Sequence, residues 1–109
     1  MRRCPIFVVP LASALVAAAS TNAQQLAGDI AAGRRLAETV CSVCHRIDNR
    51  SGPREGPGPS FADIARMPST TPLAISVFLQ SSHNNMPNLI LTQAEIDDVR
   101  SFILSLRDK

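Results

Sequence analysis

The clearest periodic pattern lies at the C-terminal end of the chain. Thr92 and Glu95 have the spacing of a capping box, in which two side chains satisfy free backbone N–H groups at a helix start. Apolar residues then recur at helical spacing along one stripe, at Ile96, Val99, Phe102, Ile103 and Leu106. The pattern predicts a long amphipathic terminal helix.

Three further helices are predicted upstream. The first begins at the N-cap Asp29 and runs through residue 40 into residues 41–45. The second is short, starts after Ser60 and is stopped by Pro68. The third starts after the cap Thr71, and its pattern ends around residues 84–85. No alternating strand pattern is long enough to predict a β-strand. Three glycines and three prolines in residues 51–59 predict a stiff, irregular loop. The expected fold class is all-α, with about four helices and long connections.

The chemistry of the chain is concentrated in Cys41-Ser42-Val43-Cys44-His45. Residues at i, i+3 and i+4 lie on the same side of a helical turn, so both thiols and the imidazole can face one flat ligand. The C-x-x-C-H spacing is the signature of covalently attached c-type haem. The motif therefore predicts one haem c, with thioether bonds from Cys41 and Cys44 and with His45 as the proximal iron ligand.

Two other uses of such cysteines are disfavoured. A structural zinc ion usually takes four nitrogen or sulfur ligands, and outside the motif the chain offers only Cys4 and His83. A thioredoxin-like redox disulfide needs a strand, helix, strand context, whereas helix precedes this motif and a Gly/Pro loop follows it. Haem attachment is the favoured interpretation.

The N-terminus has the pattern of a secretory signal peptide. Two arginines precede an apolar run at residues 6–19, and small residues follow up to Ala23. The 14-residue run is shorter than the roughly 20 residues of a membrane-spanning helix, which favours cleavage over a retained anchor. We expect residues 1–23 to be removed near Ala23, leaving one domain at residues 24–109 that is exported to the periplasm.

The net charge of the mature chain does not favour a nucleic-acid partner. Removal of Arg2 and Arg3 leaves nine basic and nine acidic residues, so the mature chain has no net charge to favour nucleic acid. A domain of this size usually needs a stabilising cross-link or cofactor. A covalently held haem would supply one as part of the core.

The sixth iron ligand determines whether such a haem binds small molecules or moves electrons. Met67, His83 and Met86 are the candidates in the mature chain. Both methionines precede a proline, which biases their backbone towards extended conformations and lets the side chain project from a loop. The local sequence therefore leaves the choice between the methionines open, and it favours an ordinary loop role for His83.

The chain resembles the bacterial class I cytochromes c. In that family a C-x-x-C-H motif near the N-terminus is followed by a Gly-Pro element and by a Met-Pro pair before the final helix. Residues 58–61 match the Gly-Pro element, and residues 86–87 with residues 91–99 match the methionine loop and the last helix. The similarity covers nearly all of residues 24–109. The chain lacks the tryptophans and tyrosines of larger relatives and the lysine ring with which mitochondrial relatives dock their partners.

The resemblance implies a set of residue roles. The fold would be that of a class I cytochrome c, with helices and long loops wrapped around one haem. Met86 would be the distal ligand, so that His45 and Met86 hold the iron. The Pro59 carbonyl would accept the other ring N–H of His45, which fixes the ring and strengthens it as a donor. Gly33 would be the close crossing point of the first and last helices, opposite Phe102.

The expected function is that of a soluble, monomeric periplasmic electron carrier and not an enzyme. It would shuttle electrons between a quinol-linked complex or dehydrogenase and a terminal oxidase or reductase, through transient contacts with redox proteins. It would have no catalytic residues, no nucleic-acid partner and no membrane span after signal cleavage. Two alternatives stay open, a haem subunit of a periplasmic dehydrogenase and a gas-binding or peroxidatic haem protein with a labile sixth ligand.

Overall fold

The computed structural model describes residues 28–50 and 56–109, so the expected signal peptide lies outside the described residues. The described chain forms four α-helices and one π-helical turn: α1 (Ile30–Leu36), the π-helical turn (Ala37–Cys41), α2 (Phe61–Arg66), α3 (Pro72–Gln80) and α4 (Gln93–Ser105). Within these ranges the only β-type pairing is an isolated bridge between His83 and Met86. The predicted all-α class is confirmed. None of the helices in the described ranges has the length and apolarity needed to cross a membrane.

Each helix starts at a side chain that satisfies free backbone N–H groups. The Asp29 carboxylate accepts from the N–H groups of Ala31 and Ala32 at 2.8 and 3.1 Å. Thr71 caps α3, and Pro72 occupies its first turn, where a missing N–H costs nothing. Thr92 caps α4 in the predicted capping box. The predicted helix starts therefore agree with the structure.

The first helix differs from its prediction because it does not continue as a regular α-helix into the cysteine motif. It becomes π-helical at Ala37, and the Ser42 N–H donates to the Ala37 carbonyl, five residues earlier, at 2.9 Å. The Thr39 and Ser42 hydroxyls donate to backbone carbonyls of the preceding turn and compete with the regular pattern. Short π-helical turns of this kind are frequent at functional sites.

Helix α4 is the centre of the core. It packs most extensively against α1, and α2 and α3 also pack against it. Val99 is completely buried, and the Phe102 ring lies 6.2 Å from the Phe61 ring, measured between centroids. A fully buried side chain of this size stabilises the fold by about 1.5–3 kcal/mol. The predicted apolar stripe is confirmed, since Ile96, Val99, Phe102, Ile103 and Leu106 are all buried.

Gly33 is the close crossing point of α1 and α4, but its expected partner was wrong. A Cβ atom at Gly33 would overlap the backbone carbonyl of Asp98 and approach the Val99 amide, so the helices touch backbone to backbone. The crossing therefore lies about one turn before Phe102, whose ring points into the core towards Phe61. The side-chain pattern located the buried stripe of α4 but not the height at which α1 meets it.

Helix α3 ends earlier than expected, before residues 84–85. It stops at Gln80, and Ser81 is already extended at φ −130° and ψ 141°. The Ser81 hydroxyl donates to the Val77 carbonyl at 2.7 Å and so takes an acceptor at the helix end. The segment that follows is thereby free to form the turn that carries Met86.

Candidate haem-attachment site

Cys41, Cys44 and His45 lie on a single helical turn, as their spacing predicts. The N–H groups of Cys44 and His45 both donate to the Cys41 carbonyl, at 3.1 and 2.9 Å. Both cysteines are free thiols. The turn therefore presents two thiols and an imidazole together, which is the donor arrangement needed to attach a haem and to bind its iron from one side.

The two thiols differ in their surroundings. Cys41 is buried and belongs to the hydrophobic core, whereas Cys44 is only partly buried. Burial raises the pKa of the Cys41 thiol, because an apolar environment disfavours the thiolate. Before haem is attached, the Cys41 thiol is therefore less acidic than an exposed cysteine.

The His45 ring is oriented by a backbone carbonyl. Its Nδ1 atom lies 2.7 Å from the carbonyl oxygen of Pro59. A carbonyl oxygen only accepts hydrogen bonds, so Nδ1 must carry the proton. In the neutral ring Nε2 then keeps its lone pair, which is the form that binds a metal. The hydrogen bond implied by the family resemblance is present in the structure.

The loop before α2 is built closely around this imidazole. The Gly58 N–H donates to the Cys44 carbonyl at 2.9 Å, and the Phe61 N–H donates to the Arg46 carbonyl at 2.8 Å. A Cβ atom at Gly58 would lie 2.6 Å from Nδ1 of His45, so only glycine fits there. The Phe61 ring lies on the core side, with its centroid 5.4 Å from that of the imidazole.

Met86 lies at the end of a tight turn. Its N–H donates to the His83 carbonyl at 2.9 Å, and Asn84 inside the turn has a positive φ of 47°. Asparagine is one of the few non-glycine residues that adopt this conformation readily. The Met86 side chain is partly buried and packs against the core cluster. The turn therefore fixes the backbone of this methionine close to the apolar interior.

The two other candidates for the sixth ligand have different settings. Met67 ends α2, where its N–H donates to the Asp63 and Ile64 carbonyls, and it is 46% exposed. His83 is partly buried, and its ring packs edge-on against Phe78 with the centroids 4.8 Å apart. Of the two methionines, only Met86 packs against the core cluster.

The residues present fit a covalently bound haem. The donor set comprises two free thiols, an imidazole whose Nε2 lone pair is available, and a thioether packed against the core. Gly58 leaves the His45 ring unobstructed where any side chain would overlap it. No cluster of three or more His, Cys, Asp or Glu residues in the described part of the chain could hold a separate metal ion. The structure thus adds nothing for the zinc alternative.

Two features of this site were not predicted from the sequence. The contact of Gly58 with the imidazole depends on the path of the loop and not on any local pattern. The positive φ of Asn84 had a weak signal in the Asn84-Asn85 pair, because asparagine is favoured in turns that need this conformation. Neither feature follows from hydrophobic periodicity.

Comparisons with known proteins agree with this geometry. The chain matches the family model for cytochrome c over residues 30–107. It is similar to cytochrome c-552 of Bradyrhizobium diazoefficiens, at 34% identity over 93 residues that cover 85% of this chain and 89% of that protein. No solved structure matches the chain. The family match extends across all four helices, the cysteine motif and Met86. The chain therefore belongs to the cytochrome c family, as a class I haem electron carrier that binds haem c covalently through Cys41 and Cys44.

Proposed function

We propose that the protein is a periplasmic monohaem electron carrier in which His45 and Met86 are the two axial ligands of the iron. The observation that carries the proposal is the placement of Met86, which packs against the core from a hydrogen-bonded turn. A haem with both axial positions filled by protein transfers electrons, whereas an open position favours binding of small molecules.

The chain's own residues each have a defined task in this proposal. Haem c supplies the one-electron Fe(III)/Fe(II) couple, and its two thioether bonds prevent its loss. The Pro59 carbonyl accepts a hydrogen bond from Nδ1 of His45 at 2.7 Å, which fixes the tautomer and the orientation of the ring. The turn from His83 to Met86 holds the thioether in place, and methionine ligation raises the reduction potential.

No substrate chemistry is assigned to the iron, and the protein is proposed to be a carrier and not an enzyme. Its partners would be redox proteins. A quinol-linked complex or a dehydrogenase would supply the electron, and an oxidase or a reductase would receive it. The contacts would be small and short-lived. The signal-peptide pattern at residues 1–23 supports export to the periplasm. The mature protein is proposed to act as a monomer.

The absorption spectrum of the oxidised protein tests the axial assignment. A sulfur-to-iron charge-transfer band in the red region is expected for the wild-type protein and should be absent from Met86→Ala. Met67→Ala is the matched control, because it removes the other methionine that precedes a proline, and it should keep the band. Survival of the band in Met86→Ala would assign the sixth position to another residue.

A further inference from the structure

His83 and Met86 are paired across the turn that carries the proposed sixth ligand. They form an isolated antiparallel β-bridge, and the Met86 N–H donates to the His83 carbonyl at 2.9 Å. In an antiparallel pair, directly opposite residues present their side chains on the same face, with Cβ atoms about 4.5–5.5 Å apart. The imidazole of His83 therefore leaves the backbone on the same side as the thioether of Met86.

The two histidines of the chain use the same ring nitrogen in the same way. Nδ1 of His83 lies 3.0 Å from the Ser81 carbonyl, as Nδ1 of His45 lies 2.7 Å from the Pro59 carbonyl. A carbonyl can only accept, so Nδ1 of His83 carries a proton and Nε2 of the neutral ring keeps its lone pair. This is the tautomer in which histidine binds metals through Nε2.

The His83 ring contacts Phe78 in this structure. Its imidazole packs edge-on against Phe78, at 74° between the ring planes and 4.8 Å between the centroids. Phe78 itself is 55% exposed, so the contact is at the surface and not deep in the core. A single surface ring contact is weak, so the imidazole can rotate away from Phe78 when a bond to the iron is gained.

We propose that His83 is a reserve sixth ligand, which binds the haem iron through Nε2 when the sulfur of Met86 leaves it. The proposal rests on the assignment of Met86 as the resident ligand. The exchange needs no oxidant or reductant, since an iron–sulfur bond is replaced by an iron–nitrogen bond. Its consequence is that the iron stays six-coordinate and closed to small molecules even without methionine ligation.

The test uses the mature, haem-loaded protein at about pH 8, above the ordinary pKa of an imidazole. Ferric wild type, M86A, M86A/H83A and M86A/N85A are compared by absorption and electron paramagnetic resonance spectroscopy. M86A/N85A is the matched control, because it shortens another polar side chain of the same turn and keeps the imidazole. M86A and M86A/N85A should be low-spin with two nitrogen ligands, whereas M86A/H83A should be high-spin.

Added imidazole gives a second readout. Its apparent affinity should be about tenfold or more higher for M86A/H83A than for M86A, because no internal ligand then competes for the iron. A high-spin M86A, or a low-spin M86A that H83A leaves unchanged, would overturn the assignment of His83. Absence of the red-region band from the wild type would instead overturn Met86 as resident ligand, so the two failures are distinguishable.

Discussion

Gly58 lies against the imidazole of His45 so closely that a Cβ atom would come within 2.6 Å of its Nδ1. That same nitrogen donates to the Pro59 carbonyl at 2.7 Å, so residues 58 and 59 together set the position of the ring. The loop before α2 is therefore part of the proposed iron site. It contacts the His45 ring through its backbone and not through side chains.

The Gly58→Ala substitution should displace the His45 ring and weaken its bond to the iron. The added methyl group cannot be accommodated by rotation of a flexible side chain, because it meets the ring itself. We expect a lower thermal midpoint of the holoprotein and a shifted reduction potential, measured by calorimetry and by optical redox titration. An unchanged potential and midpoint would show that the ring does not depend on this contact.

The conformation of Asn84 should control the stability of the Met86 turn. Asn84→Ala should destabilise the protein by about 1 kcal/mol, because alanine tolerates positive φ poorly, whereas Asn84→Gly should be neutral or stabilising. Asn85→Ala is the matched control in the same turn, since Asn84 is the only non-glycine residue with positive φ in the described part of the chain. Equal midpoints for Asn84→Ala and Asn84→Gly in thermal unfolding would contradict this account.

The close contact between α1 and α4 at Gly33 should reverse the usual effect of replacing glycine by alanine in a helix. Propensity alone predicts a gain of about 1 kcal/mol for Gly33→Ala. The new methyl group would overlap the Asp98 backbone, so we expect a loss of about 1–3 kcal/mol in the free energy of unfolding. Ala31→Gly, at an exposed position of α1, measures the propensity term alone and should cost about 1 kcal/mol. A stabilised Gly33→Ala would mean that the helices can separate without cost.

The capping box of α4 should make stability depend on pH in the acid range. Hydrogen bonds from the backbone N–H and the hydroxyl of Thr92, at 2.7 and 2.8 Å, lower the pKa of Glu95. A carboxyl whose pKa is lowered by folding stabilises the native state above its unfolded pKa. That contribution is lost as the pH falls through the lowered folded value. Glu95→Gln should flatten the acid part of the dependence of the unfolding free energy on pH, measured by denaturant unfolding. The same pH dependence in Glu95→Gln and in the wild type would contradict a stabilising role for the capping box.

The helix starts and the buried stripe were predictable because they depend on local chemistry. Asp29, Thr71 and Thr92 each precede helix-forming residues, and the caps are present in the structure. Val99 and Phe102 are buried because their spacing places them on one face of α4. The cysteine motif was equally local, since the chemistry of attachment requires its spacing.

The remaining features depend on contacts that hydrophobic periodicity does not encode. The height at which Gly33 meets α4 is set by its contact with Asp98, more than 60 residues later in the chain, which no local pattern encodes. Helix α3 ends at Gln80, before the expected end near residues 84–85, and there the Ser81 hydroxyl donates to the Val77 carbonyl. The pairing of His83 with Met86 follows from that early end, because the released residues form the turn.

An electron carrier requires an iron that protein ligands close on both sides. Addition of carbon monoxide to the reduced holoprotein at neutral pH, followed by absorption spectroscopy, shows whether the iron is closed. The His45 and Met86 assignment predicts a spectrum that stays unchanged. Fast and complete formation of a carbon monoxide adduct would contradict it and would favour a gas-binding or peroxidatic haem protein.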